Sequence, residues 1–441
     1  MRKPMLELFL ISSKRFAGMA LSSIVRSPDG RAPLRLRRVL VMLGFIPLFA
    51  LVQGIHWLGF LLDDLLFRGW RRVPVREPLF VLGVPRSGTT RLHQLLARDP
   101  QYTTFSTWEC LFALSVTERR FWLTLARIDA AIGRPGARTL KWVERHVFSG
   151  LDAVHAMSLS TPEEDYFALM PILSCFILAL PFPAAPHLWR MGRFDRDLSP
   201  AERRQVLDFY EACLKKHLYV HGAEKRLLSK NAAFAPMAGS LAERFTDARF
   251  VVCLRDPIET VPSQLSAIAS GLAFFGVPPD SPVIRDRLVD QLAFYYCNLD
   301  RLARAQPADR CATVTLPQLR SGLAQTLTAV YDRLGLPMDR AFERLLRDED
   351  ESARRYRSGH SYSLEQFGLV PARIEARFAD ACSAEELRSH SENGGPFNAA
   401  GEARGPVRSG CSPARLVDRP TEPQRMGSDD CRRSEGGALR C

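Results

Sequence analysis

Short uninterrupted apolar runs alternate with helical spacing along most of the chain. Leu79 to Val84 (LFVLGV) is one such run, the pattern of a strand buried on both faces. Phe250 to Leu254 (FVVCL) is a second. Leu227 to Ser229 and Ala312 to Leu316 (ATVTL) are two more candidate strands. Helical spacing follows them: Leu92, Leu95 and Leu96 within Thr89 to Arg98, then Pro257 to Ser270, then Ser321 to Leu334. Strand, turn and helix repeated in order predict an α/β fold: a three-layer arrangement with a central parallel sheet of about four or five strands flanked by helices.

Other stretches break this rhythm. Val39 to Leu62 is apolar for 24 residues, interrupted by Pro47, Gln53 and His56 and closed by Asp63 and Asp64. About 20 apolar residues span a bilayer. Arg31, Arg35, Arg37 and Arg38 precede the run, so a span would hold the N-terminus in the cytoplasm. The other reading is a pair of apolar helices, broken at Pro47, lying on the catalytic domain or in the membrane interface. The expected localisation is therefore cytoplasmic or membrane-associated through 39–62. Residues 103–218 read as a helical insertion. Within it, Tyr166 to Leu180 is apolar around Pro171, either a buried helix pair or an apolar wall of an acceptor pocket. The domain plan is a helical N-terminal segment over 1–77, a catalytic domain over 78–380 and a tail over 381–441. Residues 388–441 hold only five Val, Ile, Leu or Phe, so the tail is expected to be disordered.

Composition narrows the picture modestly. The 441 residues are 46% hydrophobic and 24% charged, which is globular. A formal net charge of +12 suits an anionic ligand, nucleic acid or an acidic membrane surface without choosing among them. Ten cysteines without C-x-x-C spacing exclude a disulfide scaffold and a structural zinc site. Cys110, Cys175, Cys213, Cys253, Cys297 and Cys311 read as small buried hydrophobes. The histidines show no H-E-x-x-H spacing, and no metal is expected.

Candidate chemistry concentrates at Gly83-Val84-Pro85-Arg86-Ser87-Gly88-Thr89-Thr90. It joins a buried strand to a helix, where free N–H groups and the helix dipole form an anion site. A P-loop NTPase would read G-x-x-x-x-G-K-[ST]. Here the glycine spacing is kept, Thr89 stands in the lysine's place, and the cation lies inside the loop at Arg86. A second strand end carries Arg255, with Ser263 eight residues later, a guanidinium and a hydroxyl suited to a second phosphate.

Pro85 to Thr90 resembles the 5′-phosphosulfate loop of sulfotransferases that use 3′-phosphoadenosine 5′-phosphosulfate (PAPS). Arg255 and Ser263 resemble that family's 3′-phosphate clamp. The resemblance runs from about Leu66 to Phe378 and is nearest to the bacterial and tyrosylprotein-like branch. It implies a P-loop-like fold, and that Arg86, Ser87, Gly88, Thr89 and Thr90 hold the 5′-phosphate, and Arg255 and Ser263 the 3′-phosphate. Ser229-Lys230-Asn231 resembles the segment carrying the catalytic lysine, with Ala232 where a histidine base would stand. Glu109, 23 residues after Arg86, sits near where tyrosylprotein-type enzymes carry a glutamate base. Ser106 to Glu109 is equally a capping box. His155 is a weaker candidate base, since a lone histidine is more often a structural one. Thr161-Pro162-Glu163-Glu164 reads as a helix start whose acids cap, although Glu164 or Asp165 could touch the acceptor. Arg357-Ser358-Gly359-His360 resembles the basic-glycine loop over the 3′-phosphate.

The expectation is transfer of a sulfuryl group from PAPS to a hydroxyl, or less readily an amine, of a small-molecule or lipid-like acceptor. Arg86, Lys230 and Glu109 are the expected catalytic residues, with no metal and no nucleic-acid partner. The alternatives are an ATP-dependent P-loop kinase and an inactive membrane-associated nucleotide-binding protein.

Overall fold

The computed structural model describes residues 2–24, 33–147, 159–355 and 364–392. Five parallel strands form one sheet in the order β2-β3-β1-β4-β5. They are β1 (Leu79–Gly83), β2 (Tyr102–Thr103), β3 (Arg226–Asn231), β4 (Arg249–Leu254) and β5 (Cys311–Thr315). β1 lies at the centre, with Leu82 paired to Asn231 of β3 and to Val252 of β4. Every residue of β1 is buried, which is why its sequence lacks polar alternation. Phe80 and Leu82 face one apolar cluster and Leu79 and Val81 the other, so the sheet separates two helical layers. The four strands expected from apolar runs are present. β2, only two residues long, carries too little pattern to be read in advance.

The N-terminal segment is not a separate body. α1 (Arg2–Ile24) and α2 (Leu36–Leu66) contribute Leu8, Met19, Met42, Phe49 and Phe60 to the larger cluster. α2 is one helix through Pro47, not a pair broken there. Its polar residues hold it to the catalytic domain from end to end. Arg38, 1% exposed, donates to the carbonyls of Phe275 and Pro181. His56 meets Glu118 at 2.7 Å. The Asp63 carboxylate accepts from the backbone of Val116 and Thr117 and from Lys216 Nζ at 2.7 Å. It thereby caps the first turn of α5 (Val116–Ala131).

The insertion is helical at α4 (Thr107–Phe112), α5, α6 (Pro135–Val147) and Pro200–His221. The 166–180 stretch departs from the buried helix pair. Asp165–Ile172 and Phe176–Ala179 are short 3-10 turns around Pro171, which cannot donate to a regular helix. Two further differences lie near the C-terminus. Helix Pro371–Glu392 continues past the 380 boundary into the segment expected to be disordered. Cys297, read as a simple hydrophobe, forms a disulfide with Cys382 on that helix. The rest of the tail, 393–441, lies outside the described residues, as do His155, Arg357 and Gly359.

Candidate active site

The loop after β1 opens α3 (Thr89–Leu96). Gly88 has φ 88°, a left-handed conformation that favours glycine. A Cβ at Gly83 would lie 2.6 Å from the Cys253 carbonyl, so only glycine lets β1 end this close to β4. The Ser87 hydroxyl donates to the Val84 carbonyl at 2.6 Å and is fully buried. It closes the loop on itself and does not line the cavity, unlike Arg86, Gly88, Thr89 and Thr90. Only the Ser87 backbone is left for an anion. Thr89, standing where a P-loop lysine would, is 4% exposed.

Arg255 and Ser263 line the same cavity of about 1280 Å³. The Arg255 guanidinium donates to the Arg86 carbonyl at 3.3 Å and pairs with Glu259 at 2.8 Å. Arg86 Nε reaches Ser263 Oγ at 3.4 Å. Tyr296 donates to the Arg255 carbonyl at 2.5 Å and fixes the tip of β4. The two strand tips therefore bring both guanidinium groups to one cleft, at the carboxyl ends of the parallel strands.

The lining is mixed. Arg86, Arg91, Arg255 and Arg320 give it positive charge. Phe176, Leu180, Trp189, Leu272, Leu288 and Tyr295 give it apolar wall, and Leu316 and Leu319 lie beside Gly88 of the loop. Of the apolar stretch from Tyr166 to Leu180, Tyr166, Phe176, Ile177, Ala179 and Leu180 line this cavity.

Lys230 lies near the end of β3, level with the last residues of β1. It is 4% exposed and pairs with Glu164 Oε1 at 2.5 Å. Glu164 lines the cavity. What positions it is the buried Asp165 beneath. That carboxylate accepts from Tyr210 at 2.5 Å, from Ser229 at 2.9 Å and from Asn231, while Asn231 in turn accepts the Tyr166 N–H. Burial pushes the Asp165 carboxyl up to about 6, against the hydrogen bonds from Tyr210, Asn231 and Ser229. The acids of the 161–164 motif therefore do not cap a helix. Glu163 accepts from the Thr107 hydroxyl, and Glu164, which lines the cavity, pairs with Lys230, which does not. The capping pattern misled because Ser106 and Pro162 pair as an antiparallel bridge, a contact invisible in local sequence.

Glu109 is elsewhere. It is 3% exposed and does not line the cavity. Oε2 accepts from the Ser106 backbone and hydroxyl, the capping box of α4. Oε1 meets His221 Nε2 at 2.6 Å, Arg119 Nε at 3.1 Å and His217 Nδ1 at 3.5 Å. Burial pushes its carboxyl up, but His217, then His221 and Arg119, more than offset this and hold it well below the usual range. A carboxylate so saturated and so weakly basic is a poor proton acceptor. Glu109, expected as the base, thus lies in a buried capping and ion-pair cluster and not in the cavity lining. The same cluster has metal-ligand spacing, but Arg119 shares the oxygen a cation would need.

A model described as the Sulfotransferase family matches residues 78–340, and the chain belongs to that family. It is 24% identical over 270 residues to the omega-hydroxy-beta-dihydromenaquinone-9 sulfotransferases Stf3 of Mycobacterium bovis and Mycobacterium tuberculosis. That alignment covers 59% of this chain and 63% of the length of those relatives. Among solved structures, sulfotransferase STF1 of Mycobacterium tuberculosis H37Rv superposes with TM-score 0.59 at 20% identity, covering 83% of this chain and 92% of that one. Sulfotransferase STF9 of Mycobacterium avium gives 0.63 at 17% identity, covering 87% and 95%. These likenesses establish the shared fold, and nothing in them favours a kinase.

Proposed function

We propose that the protein transfers a sulfuryl group from PAPS to the hydroxyl of a hydrophobic acceptor. One arrangement supports this reading: a single cavity joins two phosphate-suited cation clusters to an apolar wall, with the Glu164–Lys230 pair beside them. The N–H groups of the 86–90 loop and the Thr89 and Thr90 hydroxyls would hold the 5′-phosphate, and Arg255 with Ser263 the 3′-phosphate.

Glu164 takes the role of proton acceptor. The acceptor oxygen bonds to sulfur as the bond from sulfur to the phosphate oxygen breaks, and the hydroxyl proton passes to Glu164. Arg86 and Lys230 offset the negative charge that grows on the leaving phosphate oxygen. A family relative is named for a hydroxylated menaquinone derivative, and an acceptor of that kind suits the wall formed by Phe176, Leu180 and Leu272.

The test is labelled-sulfate transfer from PAPS to a panel of hydroxylated lipids and phenols. Glu164→Gln should lower turnover by about 10²-fold or more, the usual contribution of a positioned base. Its affinity for adenosine 3′,5′-bisphosphate should stay within about twofold. Undiminished turnover removes Glu164 from the chemistry.

A further inference from the structure

α2 is long and apolar enough, by length and composition, to cross a membrane. Its side chains argue against a crossing. Arg38 near the start, His56 in the second half and Asp63 near the end all bind the catalytic domain, so the helix lies along that domain. At 31 residues it is about 46 Å long, well over the ~30 Å of a hydrocarbon core.

The opposite face has no partner among the described residues. Leu36, Leu40, Leu43, Leu51, Leu58 and Leu65 are each 56–76% exposed and recur at helical spacing. The helices that pack on α2, and α6 beside α5, carry exposed apolar residues of their own. α1 packs on α2 through Phe9 and Trp57, and exposes Leu6, Leu10 and Leu21. α5, capped by Asp63, exposes Phe121, Leu125 and Ile128, and Ile132 follows just after it. Trp122 and Trp142 are exposed on α5 and α6. An apolar face this extensive marks an interaction site.

Charge selects the occupant. Lys14, Arg35, Arg37, Arg127, Arg138 and Lys141 are exposed on these helices or at their ends, and Glu7 is the one exposed acid among their described residues. A symmetric dimer across this face would set that basic rim against itself. An anionic lipid headgroup layer complements it, and exposed tryptophans beside leucines suit the boundary between headgroups and acyl chains. We infer that α1, α2, α5 and α6 form a monotopic docking face that seats the protein on one leaflet of an anionic bilayer, with α2 lying in the interface plane. The inference goes beyond the proposed reaction and stands without it. If both hold, Arg38 places the apolar wall next to the bilayer, because it bridges carbonyls one residue beyond Leu180 and three beyond Leu272.

The test is flotation of the purified full chain with vesicles of phosphatidylglycerol and phosphatidylcholine. Binding is expected to anionic vesicles, to fall at least fivefold on neutral ones, and to weaken with salt. Leu51→Glu with Leu58→Glu should lower vesicle binding at least tenfold while leaving circular dichroism and affinity for adenosine 3′,5′-bisphosphate unchanged. Trp122→Ala tests the same face independently should the double variant fail to fold. Absence of flotation overturns the inference, as does a parent chain that scatters light as a dimer which Leu51→Glu dissociates. Adenosine 3′,5′-bisphosphate binding is read separately, so loss of the docking proposal and loss of the transferase reading remain distinguishable.

Discussion

Replacing Glu109 with glutamine keeps the shape of the side chain and removes its charge. Arg119 is then left with no ion-pair partner in a site where its own side chain is 0% exposed. Its guanidinium makes no hydrogen bond to the described residues and lies 5.0 Å over the Phe105 ring, so nothing nearby replaces the carboxylate. Stranding one member of a buried pair costs about 3–5 kcal/mol. Large domains shift by about 2 °C per kcal/mol, so the melting temperature should drop by roughly 6–10 °C. The assay pairs thermal unfolding with sulfuryl transfer at a temperature where both proteins are fully folded. There, kcat should stay within about threefold of the parent. A variant that melts within about 1 °C of the parent but loses about 10²-fold in kcat would restore Glu109 as the base and refute the structural role.

Three further outcomes are expected. Arg255→Ala removes charge-assisted hydrogen bonds worth about 1.5–3 kcal/mol, so calorimetry should find adenosine 3′,5′-bisphosphate bound roughly 10- to 100-fold more weakly; equal affinity takes Arg255 out of the 3′-phosphate site. Asp63→Ala strands Lys216, 2% exposed, and the first N–H groups of α5, and should cost about 3–5 kcal/mol in denaturant unfolding; a loss under about 1 kcal/mol contradicts the anchoring of α2. Burial holds His217 down to about 4, against the pull of Glu109, and holds Asp165 up to about 6. Below about pH 6.5 the unfolded chain therefore gains a proton at His217 that the folded one refuses, and stability falls as pH falls toward 4. Asp165 acts in reverse, its stability cost growing as pH rises from about 3.8 to 6. Each shift corresponds to roughly 3 kcal/mol. The stability of His217→Gln relative to the parent should improve toward pH 4, and that of Asp165→Asn toward pH 6; differences flat with pH reject both assignments.

Much of the polar half of the site was legible in sequence because its chemistry is local. The loop from Gly83 to Thr90 is consecutive, and Arg255 with Ser263 sit on one strand end and the helix that follows, so spacing alone brings them near each other. Capping at Glu109 was legible for the same reason, since N-cap and N3 are three residues apart. The choice between capping and catalysis was not. It depended on His217, His221 and Arg119, brought to Glu109 from two other helices. Glu164 was legible as a residue that could touch the acceptor, but its pairing with Lys230 was not: the two are 66 residues apart, joined by an ion pair that only the packing of the 3-10 turn against β3 creates.

The sequence by itself determined the parallel sheet, the strand-to-helix turn from Gly83 to Thr90 and the apolar character of the 39–62 run, because buried strands, glycine turns and hydropathy are written in consecutive residues. Tertiary structure alone decided that Glu164 and not Glu109 lines the cleft shared by Arg86 and Arg255, and that α2 lies along the domain with a bare leucine face outward. These outcomes turn on which distant groups meet in a dry interior, where an unpaired charge costs more than any local preference can supply.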